Sequence, residues 1–287
     1  MSFSYFLLRI SGYLLASLPL WFLYFLARFT AFIFNHVIRY RKEVVLENLK
    51  NAFPEKPDDE INAIASRFYR IFLETMFETV KLLRLDPAYL PKHIRLVNKE
   101  VLENHFRQGR SVIAVGGHYG NWEWLGTGLK ALVPFRVIAV YKPLSNQTVD
   151  RLMFRVRSMN GSDLVPIKKA FREIQSSPIP TLSYLIADQA PNPDNAYWTS
   201  FLNQETAVFL GPERIARLTN SVVVFLRMRR TARGQYSVYV EELCKEPALV
   251  PEFEISEKHI RALENQIIDD PAPWLWSHKR WKHKKPS

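Results

Sequence analysis

Ser111-Val112-Ile113-Ala114-Val115-Gly116-Gly117-His118-Tyr119-Gly120-Asn121-Trp122-Glu123 is the stretch on which the fold of this chain turns. Its first five residues are apolar and rich in branched side chains, as a buried strand requires. On an unbroken helix, with about 3.6 residues per turn, His118 and Glu123 would lie on different faces. They can converge only if the backbone changes course between them. Glycines at 116, 117 and 120 permit that change, because glycine tolerates the positive φ of a tight turn. Asn121 is then a suitable N-cap for a helix running to about Leu132, with Glu123 in a first turn whose dipole favours an anion. Strand, glycine elbow and helix together present a histidine and a carboxylate, a pairing that suits a general base polarised by an anion.

Outward from this unit the chain keeps alternating. Further strand candidates are 136–141, 181–187, 222–229 and 235–242, alongside 111–116 itself, with helical stretches between several of them. Residues 42–83 read as helical, broken by Phe53-Pro54-Glu55-Lys56-Pro57. Asp58 or Asp59 is placed to cap a second helix carrying Ile61, Ile64, Ala65, Phe68, Ile71 and Phe72 at helical spacing. The alternation predicts an α/β fold with a mixed central sheet flanked by helices. In such sheets functional loops gather at the carboxyl ends of strands, where both His118 and Asp188-Gln189 fall.

The first forty residues read differently. Ile10 to Ala27 carries no charge and is just long enough to span a bilayer core, yet Pro19 interrupts it. An amphipathic hairpin lying in one leaflet is the competing expectation. Residues 1–40 are therefore predicted to form a membrane-associated helical segment, and 41–287 an α/β catalytic domain. The cluster Arg39, Arg41, Lys42 places the remaining chain on the cytoplasmic side. The whole chain has 287 residues, 39 Lys and Arg against 28 Asp and Glu, and a formal charge of +11. An anionic partner is implied: an acidic protein, a phospholipid surface or nucleic acid. The single cysteine, Cys244, excludes an intramolecular disulfide and reads as a small buried residue rather than a nucleophile.

No Gly-x-Ser-x-Gly elbow is present, so a serine nucleophile is not indicated, and no second histidine stands at metal-ligand spacing from His118. Trp122 and Trp124 would supply apolar walls beside the polar pair, as an oily substrate needs. On a helix Arg151 and Arg155 share a face while Arg157 points elsewhere. The tail from Trp274 to Lys285 mixes aromatics with cations and suits a boundary between acyl chains and anionic headgroups, although such mixtures also serve single-stranded nucleic acids.

These blocks together resemble the bacterial lipid A biosynthesis acyltransferases, within the wider lysophospholipid acyltransferase-like group. The resemblance rests on Glu47-Asn48-Leu49 with Phe53-Pro54-Glu55, on Gly117-His118-Tyr119-Gly120-Asn121-Trp122-Glu123, and on Tyr141-Lys142-Pro143. It extends through Arg155-Val156-Arg157-Ser158, Asp188-Gln189, Gly211-Pro212 and Trp276-Ser277-His278-Lys279-Arg280-Trp281. It implies an acyltransferase with His118 as general base and Glu123 as its dyad partner. Arg155, Arg157, Asp188, Asn121 and Trp122 become the candidate substrate-binding residues. It further implies no metal and no cofactor, acyl carrier protein or coenzyme A delivering the acyl thioester, and a membrane lipid as acceptor. The cytoplasmic face of the inner membrane is the expected location, with no role for nucleic acid. A lysophospholipid or glycolipid acyltransferase using acyl-CoA is the alternative enzyme, and a non-catalytic adaptor binding anionic lipid the alternative of another class.

Overall fold

Pro19 sets the shape of the N-terminal segment. Helix α1 (Phe3–Ser17) ends just before it and α2 (Leu20–His36) starts just after it, with their axes bent by 119°. Proline cannot continue the first helix, because its ring excludes the preceding residue from helical backbone. The uncharged run from residue 10 to 27 is therefore not one helix, and no single helix among the described residues is long and apolar enough to cross a bilayer. The computed structural model describes residues 3–143, 146–158 and 161–285. On α2 one face (Leu23, Tyr24, Ala27, Ala31, Asn35) is buried against the protein. Trp21, Phe25, Phe29 and Phe32 form an opposite, exposed stripe.

Helices α3 (Lys42–Ala52) and α4 (Asp58–Lys81) come next. Asp58, Asp59 and Glu60 occupy the first turn of α4, where the dipole favours them, while Pro57 rather than an aspartate is the N-cap. The α/β body then comprises β1 (Ile94–Leu96), α5 (Glu100–Arg107), β2 (Val112–Gly116), α6 (Trp122–Leu132), β3 (Arg136–Tyr141), α7 (Gln147–Ser158), β4 (Asp163–Pro166), α8 (Ile167–Gln175) and β5 (Thr181–Ile186). It closes with β6 (Tyr197–Phe201), β7 (Gln204–Val208), α9 (Gly211–Thr219), β8 (Val222–Ala232), β9 (Gln235–Cys244) and α10 (Glu254–Asp269).

Seven strands form one sheet in the order β1-β9-β8-β2-β5-β3-β4. Every neighbouring pair is parallel except β8 and β9, which form an antiparallel hairpin, so the sheet is mixed as the sequence predicts. Val112–Val115 and Val222–Phe225 are wholly buried, the continuous apolar pattern of central strands covered on both faces. All five strand candidates are present. The strands that periodicity does not reveal are β1 and β4, at three and four residues too short to show alternation, and the separate β6–β7 hairpin. Its turn uses Leu202 and Asn203, both at positive φ, without the glycine that signals such turns in sequence.

The C-terminal tail departs from the expectation of a headgroup interface. Trp274, Trp276 and Arg280 are buried, and Tyr119 forms an antiparallel bridge with Trp274. The Gly120 N–H donates to the Pro273 carbonyl (3.1 Å), and the Leu275 N–H donates to that of His118 (3.1 Å). The tail is thus a strap across the glycine elbow. Its lysines at 279, 282, 284 and 285 remain exposed.

Candidate active site

The parallel register of β2 and β5 brings the site together. Gly116 pairs with Ile186, so the residues two further along each strand, His118 and Asp188, emerge side by side at the carboxyl edge of the sheet. His118 Nδ1 donates to Asp188 Oδ1 at 2.6 Å, and the His118 backbone N–H donates to Oδ2 at 2.7 Å. Trp274 Nε1 adds a third donor to Oδ2 at 2.9 Å. Burial alone would push the Asp188 carboxyl up. The adjacent His118 ring and these three hydrogen bonds outweigh burial and hold it well below the usual carboxylate range. Because an ionised carboxylate only accepts, Nδ1 carries a proton, and Nε2 is the ring nitrogen left to accept one. The Gln189 amide lies 3.4 Å from that Nε2.

This corrects the expected pairing. Glu123 does stand in the first turn of α6, but it accepts Arg157 Nε at 2.9 Å and Nη2 at 2.5 Å instead of bonding His118. A two-point guanidinium–carboxylate contact is stronger and more directional than a single bond to a ring nitrogen. Asp188 already occupies the Nδ1 side of the ring. His118 and Glu123 nevertheless line the same cavity.

The other candidates separate in the same way. Asp188 serves the histidine rather than a ligand. Trp122 packs its ring edge-on against His118, with centroids 5.1 Å apart, and is an apolar wall as expected. Asn121 is fully buried. Its Oδ1 accepts the Trp124 N–H as the N-cap of α6 (2.9 Å), and its Nδ2 donates to Glu78 (2.6 Å), so it cannot reach a substrate. Glu78 also accepts Tyr24 and Tyr236 hydroxyls (2.8 and 2.6 Å) and the Gly234 N–H (3.1 Å). Arg155 lies on the exposed face of α7 and makes no side-chain hydrogen bond or ion pair among the described residues, whereas Arg157 turns inward. The helical spacing of α7 fixes that difference.

Two glycines in the elbow are required, for different reasons. Gly120 adopts φ +59°, and a Cβ there would lie 2.6 Å from Met228 Sδ. Gly117 has ordinary φ, but a Cβ would stand 2.7 Å from Leu263 and 3.2 Å from Asp188 Oδ2. Substitution at either position would displace the loop that carries His118.

His118 sits where two cavities meet. One, of about 210 Å³, runs under Trp122, Gly126, Ala139, Leu164 and Tyr184, with the Glu123–Arg157 pair in its wall. The other, of about 330 Å³, is bounded by Ile167, Leu185, Ala187, Pro191 and Phe209. Both share Tyr141, Lys142, Ile186 and Gln189 at their common mouth. A tautomer-fixed base between two clefts can deprotonate a hydroxyl entering from one while a second substrate occupies the other.

Residues 2–283 match the model of the bacterial lipid A biosynthesis acyltransferase family. The chain belongs to that family. Among curated relatives, a lipid A biosynthesis acyltransferase of Haemophilus influenzae is 22% identical over 84% of this chain and 78% of its own length. The lipid A biosynthesis palmitoleoyltransferase of Escherichia coli K12 is 21% identical over 85% of this chain and 80% of its own. A lipid A biosynthesis acyltransferase of Shigella flexneri matches to the same extent. The protein is therefore an acyltransferase, and the adaptor alternative falls away. The histidine legible from the motif lies at the junction of the two cavities. Its partner is identifiable in sequence only as a second polar residue at a strand end, because the sequence does not state which strands are neighbours.

Proposed function

We propose that this acyltransferase moves a fatty acyl chain from an acyl-carrier-protein thioester to a hydroxyl of a lipid A precursor. The observation that carries the reading is His118, oriented by the Asp188 bond on Nδ1 and opening on two partly apolar cavities. His118 takes the proton of the lipid hydroxyl as its oxygen attacks the thioester carbonyl. Asp188 stabilises the imidazolium that results. Collapse of the tetrahedral intermediate breaks the C–S bond, and the imidazolium returns its proton to the departing thiol. No acyl-enzyme is needed, since no nucleophilic side chain flanks His118, and the scheme calls on no metal or cofactor.

The relatives, named as lipid A biosynthesis acyltransferases, support lipid A as the acceptor class. The +11 charge supports an acidic carrier protein as donor, and Lys142 is exposed at the cavity mouth, suited to an anionic group of either substrate. The exposed stripe on α2, with Arg39 and Arg41 just after it, supports a hairpin lying in one leaflet on the cytoplasmic face of the inner membrane.

Purified protein offered acyl-carrier-protein and acyl-CoA thioesters separately, with a lipid A precursor in vesicles, tests the donor. Faster transfer from the carrier protein is expected, and exclusive use of acyl-CoA would reverse that assignment. His118→Ala should abolish transfer while lipid binding persists. Near-normal turnover in that variant would contradict the scheme.

A further inference from the structure

Tyr184 projects from β5 between two glycines. A Cβ on Gly126 of α6 would stand 3.2 and 3.3 Å from its ring carbons, and one on Gly116 of β2 would stand 3.8 Å away. The ring fills a slot that exists because position 126 has no side chain, and it is only 6% exposed. Its hydroxyl nevertheless makes no hydrogen bond to any described residue, while the residue lines the His118 cavity. The hydroxyl is not sealed in the core but opens on that cavity, where it is available to a group that enters. Tyrosine rather than phenylalanine at this position gives the cavity wall a hydrogen-bond donor.

Several other donors near His118 are committed, and Lys142 stands exposed at the mouth rather than beside the ring slot. Arg157 Nε and Nη2 go to Glu123. The backbone N–H groups of His118, Tyr119, Gly120 and Asn121 go to Asp188, the Gly117 carbonyl, the Pro273 carbonyl and Met228 Sδ. The elbow after β2 therefore supplies no free oxyanion hole at these four positions. The phenol stands in a cavity walled by Glu123 and close to Asp188. Burial, with these two negative charges, raises its pKa well above the ordinary value and keeps it a proton donor at neutral pH.

We propose that the Tyr184 hydroxyl donates a hydrogen bond to the acyl carbonyl oxygen as that oxygen becomes an oxyanion. This rests on the acyl-transfer reading above. The acceptor O–H bond breaks as its proton passes to His118 Nε2, the new C–O bond forms, and the carbonyl π electrons move onto the oxygen held by Tyr184. When the C=O bond re-forms, the C–S bond breaks and the thiolate takes the proton from His118. Tyr184 keeps its own proton throughout. Its bond tightens as the charge develops, so the stabilisation is greatest at the transition state.

Tyr184→Phe removes the hydroxyl and keeps the ring in its slot. Transfer from acyl-carrier-protein thioester to lipid A precursor should lose roughly 100-fold in kcat with KM within about threefold, in line with the loss of one oxyanion donor. The melting temperature should stay level or rise, because the hydroxyl had no protein partner. A kcat within threefold of the parent, a change confined to KM, or a lowered melting temperature would each overturn the assignment. If the parent protein transfers no acyl chain from either thioester donor, the functional reading itself fails and this proposal with it. Parental transfer with an unimpaired Tyr184→Phe rejects the Tyr184 role alone.

Discussion

A neutral histidine has two tautomers, and only one is useful as a base on a given substrate. Asp188 selects it here by accepting Nδ1–H, and its own geometry is fixed by the His118 backbone N–H and Trp274. Glu123 performs another task at the same cavity: it neutralises Arg157, whose side chain is about three-quarters buried. Removing one partner leaves the other charge poorly solvated. Arg157→Gln should therefore destabilise the protein by about 3 kcal/mol, the scale of a broken buried pair, while Glu123→Gln with Arg157→Gln together should recover much of that loss. Urea denaturation of the three variants checks this, and equal destabilisation by the single and double variants would contradict it.

The elbow between β2 and α6 is the element on which these residues depend. Asn121 caps α6 with one end of its amide and satisfies buried Glu78 with the other. Asn121→Ala should cost about 2–3 kcal/mol, combining a lost cap with an unsatisfied carboxylate oxygen. Thermal unfolding would show it, and an unchanged midpoint would mean that Glu78 finds its donors elsewhere. Gly120→Ala should be comparably harmful, since it meets both a positive φ and Met228. Much at this scale is legible in sequence. The apolar run 111–116, its glycines and the capping asparagine define strand, turn and helix close to their observed limits, and the other four long strands stand out by the same pattern. The pairing of His118 is not legible, because local pattern does not encode the order β8-β2-β5-β3 that makes Asp188 a neighbour. The tail misleads for a related reason. Tryptophans among lysines look interfacial until tertiary packing shows Trp274 and Trp276 closing the core over the elbow. The orphan phenol of Tyr184 gives no sequence signal, since a tyrosine in an apolar strand is ordinarily a core residue.

Across the whole molecule, one buried histidine and one half-buried one couple stability to pH. Burial pushes both His259 and His278 down to about 4, Asp188 opposing and Arg280 reinforcing the shift. The unfolded chain protonates these rings near 6.5, so between about 6.5 and 4 it binds more protons than the native protein. Stability should therefore drop as the pH is lowered from about 6.5 to about 4, by up to about 1.4 kcal/mol per pH unit for each ring. His259→Gln should flatten the slope measured by denaturation at pH 7 and pH 5, and an unaltered slope would contradict the attribution. The exposed stripe of α2 is the other whole-molecule feature, with Trp21 71% exposed. Trp21→Ser, Phe25→Ser and Phe29→Ser together should lower partitioning onto anionic vesicles at least tenfold without altering the melting temperature, because burying each side chain contributes up to about 1.5–3 kcal/mol. Flotation assays report the outcome, and undiminished binding would place the lipid contact elsewhere.

The central claim is that His118 and Asp188 act as one base, and a double-mutant cycle in single-turnover transfer tests it most directly. Asp188→Asn should slow transfer by about 10³–10⁴-fold, as loss of the orienting carboxylate does in comparable dyads. Adding it to His118→Ala should bring no further loss, since groups that act as a unit are not additive. Transfer by Asp188→Asn at close to the parental rate, or losses that multiply when the two substitutions are combined, would contradict the account.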